Sequence, residues 1–140
     1  DCFSAKRKKG WQYVNYHGVV NRNKAAEILS SSIAGIVTFH PIPNHYFAQP
    51  TKMFEYMSSS IAVIASDFPY WRSIIEKYNC GVLVNPLNPI SISKGIEDLI
   101  NDPSLALKLG KNGRQTITHF LNWEIEEIKL INFYKKTLNL

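Results

Sequence analysis

With 140 residues, 45% of them hydrophobic and 12% aromatic, the chain carries enough apolar mass for one domain with a real core. It lacks the bias of a disordered sequence and contains no run of about 18 apolar residues, which excludes a membrane-spanning helix from this sequence. The net charge of +5 is local, because Lys6, Arg7, Lys8 and Lys9 supply four of it and the remainder is nearly neutral. No basic stripe interleaved with aromatics follows, so a nucleic-acid partner is not expected. The cluster reads as a solvated patch, with an anionic lipid surface as the other reading. The polar, basic start does not have the form of a signal peptide. Cys2 and Cys80 lie far apart and in no metal-ligand spacing, so reduced thiols and no metal site are expected. These features predict a cytoplasmic protein, with peripheral contact at the inner face of a membrane as a further expectation.

Residues 1–10 are predicted to form a polar, basic segment, frayed at its start, ahead of a domain over 11–140. Trp11 to His17 reads as a strand ended by Gly18. Asn23 to Ser30 reads as a helix, N-capped by Asn21 or Asn23, with Ala25, Ala26, Ile28 and Leu29 on its apolar face. Ile33 to Phe39 reads as a buried strand, and His40-Pro41-Ile42-Pro43-Asn44-His45 as a loop, because two prolines and an Asn interrupt any ladder. Pro50 to Met57 reads as a helix with proline at its first position, followed by the strand Ile61 to Ala65. Ser66-Asp67-Phe68-Pro69 is a turn, Tyr70 to Tyr78 a helix, and Gly81 to Val84 a fourth strand that Asn85-Pro86 closes. A helix starts at Pro89. Asp102 caps the next, with Pro103 at its first position, and it runs to about Phe120. The last helix spans about Asn122 to Leu138, with Trp123, Ile125, Ile128, Ile131 and Phe133 as its apolar set; Glu124, Glu126 and Glu127 complement its dipole.

Strands alternating with helices predict an α/β fold: a parallel sheet of about four strands with helices on its faces. The chemistry concentrates at Pro50 to Met57. Proline at a helix start loses no intrahelical bond, and the amides of Thr51 and Lys52 then face outwards. With the macrodipole and the Lys52 ammonium they favour an anion. Glu55 follows one turn later, either exposed by rotation or held for a ligand. Lys52 has the alternative of pairing with Glu55 across i,i+3, a contact worth only about 0.2–0.5 kcal/mol. His40 and His45 flank the loop after a strand, where such sheets bind ligands; each can hydrogen-bond a phosphate or a sugar hydroxyl, or act as a structural loop histidine. His17 is a weaker candidate on the same edge. His119 lies in a helix and is expected on the surface. No phosphate-binding loop, metal motif or Ser/His/Asp arrangement occurs, so kinase and hydrolase readings have no support, and without a G-x-G-x-x-G a Rossmann-like binding protein for another nucleotide ranks last.

The run from Pro50 to Ser66 resembles the donor-binding helix and strand of group 1 glycosyltransferases, often called family 4. Pro50, Lys52, Glu55, Tyr56, Met57, Val63, Ile64, Ala65 and Ser66 fall on that family's pattern. The loop His40 to His45, the stretch Cys80 to Pro86, the helices after Pro103 and the last, aromatic-rich helix resemble it too, so the likeness spans roughly 11–138. It implies the C-terminal, Rossmann-like half of a GT-B fold, a three-layer domain incomplete on its N-terminal side. It also implies a retaining transfer, without a metal cofactor, from a nucleotide-diphosphate sugar to a glycan or lipid-linked acceptor in polysaccharide or glycoconjugate synthesis. By position, Glu55 matches the acid that accepts from the ribose hydroxyls, the backbone around Gln49 and Thr51 faces the diphosphate or sugar, and Asn44 to Ala48, with His45, lines the sugar pocket. Phe47 stands where many members carry a second acid, Ser60 where they carry glycine, and Ala62 where they carry proline. The family's first donor-domain strand, its glycine turn and its acceptor domain have no counterpart here. The resemblance therefore implies a missing N-terminal domain or a partner chain, or a homo-oligomer. The other reading is a non-catalytic nucleotide-binding or scaffolding subunit.

Overall fold

The apolar run after residue 60 becomes the middle strand of a three-stranded parallel sheet in the computed structural model, which describes residues 2–138 and side chains from residue 4. The elements are α1 (Cys2–Lys6), a 3-10 helix (Lys9–Tyr13), α2 (Arg22–Ser30), β1 (Ala34–Val37), α3 (Pro43–Tyr46), α4 (Thr51–Ser58) and β2 (Ala62–Ser66). They continue with α5 (Pro69–Tyr78), β3 (Gly81–Val84), α6 (Pro89–Asn101), α7 (Pro103–His119) and α8 (Trp123–Leu138). The strand order is β1-β2-β3, with Ala34 opposite Ala62 and Val63 opposite Gly81.

Every residue of β2 is buried. Alternation sends Val63 and Ala65 into one core with Met53 and Met57 of α4 and Trp71, Ile74 and Ile75 of α5. Ala62 and Ile64 enter a second core with Leu99 of α6 and Ala106 and Leu109 of α7. The result is a three-layer α/β arrangement, and two-sided burial explains why β2 reads as an unbroken apolar run. Cys80 sits fully buried in the first core, and the burial pushes its thiol from 9.0 up to about 11. The Cys2 side chain lies outside the described residues.

Two helix ends feed strands through the same device. After α4, the amide of Ser60 donates to the Met57 carbonyl and that of Ile61 to the Tyr56 carbonyl, with Ser60 at φ 60°. After α5, Asn79 donates to Glu76 and Cys80 to Ile75, with Asn79 at φ 46°. Both are Schellman ends, which glycine suits best and asparagine tolerates. Ser60 thus takes a left-handed conformation that its side chain disfavours. Its carbonyl lies so close to Gly110 of α7 that a Cβ there would collide with it, while a Cβ on Gly113 would stand 3.2 Å from the Met57 Cα. These two glycines let α7 lie directly on the end of α4.

Several expectations need correction. Trp11 to His17 is not a strand: residues 9–13 form a 3-10 helix, and Trp11 folds against Tyr16 with ring centroids 5.7 Å apart. A strand needs a ladder partner, and the segment finds none among the described residues, so the sheet has three strands and not four. The basic segment contains a helical turn, α1, and the predicted loop 40–45 runs into the short helix α3. Pro50 is the N-cap of α4, with φ −70° and ψ 119°, and the helix proper starts at Thr51. The other boundaries agree to within a few residues, and Asn21 is the cap of α2, accepting from the Lys24 amide at 2.9 Å. The apolar set of α8 is helical as predicted, but no residue of α8 is buried.

Three outcomes follow from this packing. Ser60→Gly raises stability by about 0.5–1 kcal/mol through relief of the left-handed conformation. Gly110→Ala lowers it by about 1–3 kcal/mol, because the steric clash outweighs the helix-propensity gain of at most about 1 kcal/mol. Both are read from urea midpoints at unchanged slope. Cys80 stays a thiol in the folded state at pH values where the unfolded chain ionises. Its contribution is therefore complete below pH 9 and is lost as pH rises towards 11, at up to about 1.4 kcal/mol per pH unit. Cys80→Ala removes that part of the alkaline slope.

Candidate functional site

The carboxyl ends of the three strands form one edge of the sheet, and the loops leaving them build the site. After β1 the chain passes Phe39 to Gln49, and the fully buried Ser66 at the end of β2 holds its beginning. The Ser66 hydroxyl accepts from the Phe39 amide at 2.9 Å and donates to the Phe39 carbonyl at 3.2 Å. The end of the loop is held by Trp71, whose buried indole Nε1–H donates to the Ala48 carbonyl at 2.8 Å. The Trp71 ring meets Phe39 and Phe68 edge-on at 5.4 and 5.0 Å. Loop 39–48 is thus pinned at both ends to buried groups.

Between those pins, His45 Nδ1–H donates to the His40 carbonyl at 2.7 Å, and the His45 ring lies 4.8 Å from that of Phe39. The bond fixes the tautomer, because a carbonyl only accepts, and leaves Nε2 as an acceptor. His45 is half-buried, whereas His40, Asn44 and Phe47 are exposed, Phe47 to 81%. His17 and His119 are exposed.

The buried Pro50 then directs the chain into α4. Pro50 supplies no side-chain cap, so the first amides of α4 have no side-chain acceptor. Thr51, Lys52 and Glu55 are exposed on this helix, while Met53 and Met57 anchor its other face. Lys52 and Glu55 do not pair with each other, and neither side chain makes a hydrogen bond or ion pair among the described residues. Glu55 stands about 6 Å along the axis from Thr51, and its Cα–Cβ bond, like that of every helical residue, leans towards the N-terminus. Behind it, the Tyr56 ring lies over Gly35 of β1, where any Cβ would collide with it. Burial raises the Tyr56 phenol's pKa, and the Glu55 carboxylate beside it adds to the shift.

The structure therefore brings Asn44, His45, Thr51, Lys52 and Glu55 onto one continuous segment at the carboxyl edge. Gln49 belongs to the same segment, and its side-chain amide donates to the Tyr70 hydroxyl of α5 at 2.7 Å. Sequence reasoning missed Tyr46, Asp67 and Asn85, which with Pro41, Phe68 and Pro86 line a hollow of about 250 Å³ across the strand ends. Asp67 and Asn85 directly follow β2 and β3, and that position was the available signal. The Asp67 carboxylate is held by Arg72, which also pairs with Glu76. Among the described residues no group of three or more His, Cys, Asp or Glu is placed to hold a metal ion, and no helix is long and apolar enough to cross a membrane.

A parallel sheet with helices on both faces, and a loop and helix start at its carboxyl edge, defines a Rossmann-like α/β domain. The family model for glycosyl transferases group 1 matches residues 4–116, and the chain belongs to that family. Among solved structures it is similar to a sucrose-phosphate synthase from Thermosynechococcus elongatus, at 22% identity and a TM-score of 0.80. The match covers 99% of this chain and 35% of that one, so the chain spans about a third of that enzyme's length. No curated protein matches the chain in sequence comparison. The α/β, GT-B type of fold expected from the sequence stands, with a three-stranded sheet in place of four strands.

Trp71→Phe keeps the ring packing but leaves the Ala48 carbonyl without its donor. The variant is expected to lose about 1–2 kcal/mol and to be cut faster within residues 40–49 in limited proteolysis.

Proposed function

We propose that this chain is the donor-binding part of a glycosyltransferase that moves a sugar, with retention, from a nucleotide-diphosphate sugar to a glycan or lipid-linked acceptor. The observation that carries this is Glu55, an exposed carboxylate without a hydrogen-bonding partner, one turn from an uncapped helix start in a chain of this family. In this reading the carboxylate accepts from the two ribose hydroxyls. The amides of Thr51 and Lys52, the helix dipole and the Lys52 ammonium receive the diphosphate, whose negative charge grows as the glycosidic bond breaks. These groups take the leaving charge in place of a divalent cation. Asn44 and the free Nε2 of His45 offer hydrogen bonds to the sugar, and the Gln49 backbone closes the site next to Pro50. The acceptor half comes from an N-terminal domain or a partner chain, and the chain alone is inactive in transfer. The pathway is polysaccharide or glycoconjugate synthesis in the cytoplasm, and the exposed Lys6 to Lys9 cluster suits work beside an anionic membrane.

A carboxylate that accepts two ribose hydroxyls contributes at least about 1.5 kcal/mol. Glu55→Ala is therefore expected to weaken UDP or GDP binding tenfold or more in calorimetry, whereas Glu124→Ala, on the exposed start of α8, leaves it unchanged. Equal affinities for the two variants would rule out the assignment.

A second reading, a non-catalytic subunit that needs a partner, is favoured by the uncovered side of β1. Ile33, Ile36 and Ile100 are 53%, 44% and 53% exposed there, around a hollow of about 330 Å³ floored by Ile64 and Leu99. Parallel strands are normally covered on both faces, so this surface should draw a second copy or another chain. Sedimentation equilibrium is expected to show self-association that Ile36→Lys reduces; a monomer with cooperative unfolding argues against this reading.

A further inference from the structure

A further hollow lies away from the carboxyl edge. It is a groove of about 640 Å³ between α4 and α5, closed at its far end by the turn from α7 into α8. We propose that this groove binds an uncharged oligosaccharide, at a site separate from the nucleotide.

The lining chemistry selects that ligand. Its floor is apolar, from Phe54, Ile74, Ile117 and Leu121, and aromatic rings of Tyr70, Tyr78 and Trp123 stand along it. Trp123 is 66% exposed, an indole face turned largely to solvent. About a third of the lining is polar, which tells against an acyl chain or an apolar helix, since those would bury hydroxyls and amides without partners. The charged groups are one lysine, Lys77, and one glutamate, Glu126, so the groove has no net charge and does not select a phosphate or nucleotide. Lys77 lies 5.0 Å above the Tyr78 ring, and Glu126 pairs with Lys129, so neither charge projects alone. Flat C–H faces against amphipathic rings, with hydroxyls meeting amides and hydroxyls at the rim, is what a sugar chain requires.

The polar groups are preset for such a ligand. The Gln49 amide donates to the Tyr70 hydroxyl, which leaves Gln49 Oε1 to accept and the Tyr70 proton to be donated. The Ser73 hydroxyl donates to the Tyr70 carbonyl at 2.6 Å and keeps its lone pairs. Asn122 is already spent: it donates to the Ile117 and Thr118 carbonyls and accepts from the Ile125 amide, holding the turn on which Trp123 stands. Gln49 precedes Pro50 at the head of α4, and α5 runs about 12 Å from Tyr70 to Tyr78. The groove therefore starts beside the carboxyl-edge segment and leads away from it, as a track for a glycan whose end reaches the reacting sugar.

Saturation-transfer NMR on the intact protein tests this with uncharged tetrasaccharides of glucose, N-acetylglucosamine, galactose and mannose. At least one is expected to bind, with saturation strongest on ring C–H protons. Trp123→Ala and Tyr70→Phe are each expected to weaken that binding fivefold or more, with circular dichroism unchanged. Absence of binding by all four sugars, or undiminished binding by both variants, overturns the proposal. UDP and GDP titrated into the same sample report on the α4 site alone, so a failure there counts against the donor reading and leaves the saccharide result to stand by itself.

Discussion

The burial of β2 is the constraint on which the rest of this structure depends. Its side chains alternate between two cores that share no other strand so completely. Val63 and Ala65 fasten α4 and α5 to one face, and Ala62 and Ile64 fasten α6 and α7 to the other. The strand ends in Ser66, a buried hydroxyl that satisfies both the amide and the carbonyl of Phe39. A polar atom in so apolar a place is tolerated because it is fully bonded. Through that bond the central strand also determines where the chain after β1 turns towards the site.

The position of α4 follows from contacts at its far end. Gly110 and Gly113 bring α7 onto Met57 and the Ser60 carbonyl, and the Schellman end turns the chain directly into β2. With its C-terminal end so clamped, the helix must present its N-terminus at the carboxyl edge, where Trp71 fixes the approaching loop through Ala48. The exposed Lys52 and Glu55 thus stand on a rigid support although they touch little themselves. Ser60 marks the cost: a left-handed residue without glycine's freedom, retained where the geometry of the helix–strand connection requires it.

The two large uncovered surfaces have different origins. The side of β1 is bare because β1 is an edge strand and no helix among the described residues covers Ile36. Beyond its first turn helix α8 meets no second layer among the described residues, so Ile128, Leu130, Ile131 and Phe133 remain exposed. Both surfaces leave apolar side chains in contact with solvent. The groove between α4 and α5 differs from them in its mixed polar lining, and for that reason it is assigned to a small ligand.

Much of this protein is determined by local sequence. The apolar run of β2, the caps Asn21, Asn88 and Asp102 and the prolines that open α5, α6 and α7 all act through neighbouring residues, so their elements fall where the pattern puts them. The placement of Glu55 one turn behind a helix start was legible for the same reason, and so was the left-handed need at Ser60, through the family pattern. Only the tertiary structure decided the fate of Trp11 to His17, whose strand-like alternation needs a ladder partner that the fold does not supply. It alone turned Gln49 to Tyr70, joined Asp67 and Asn85 across two strand ends, and left the apolar set of α8 exposed. Periodicity records which residues can share a face. Whether anything covers that face, or which distant side chain a polar group meets, depends on contacts between segments far apart in the chain.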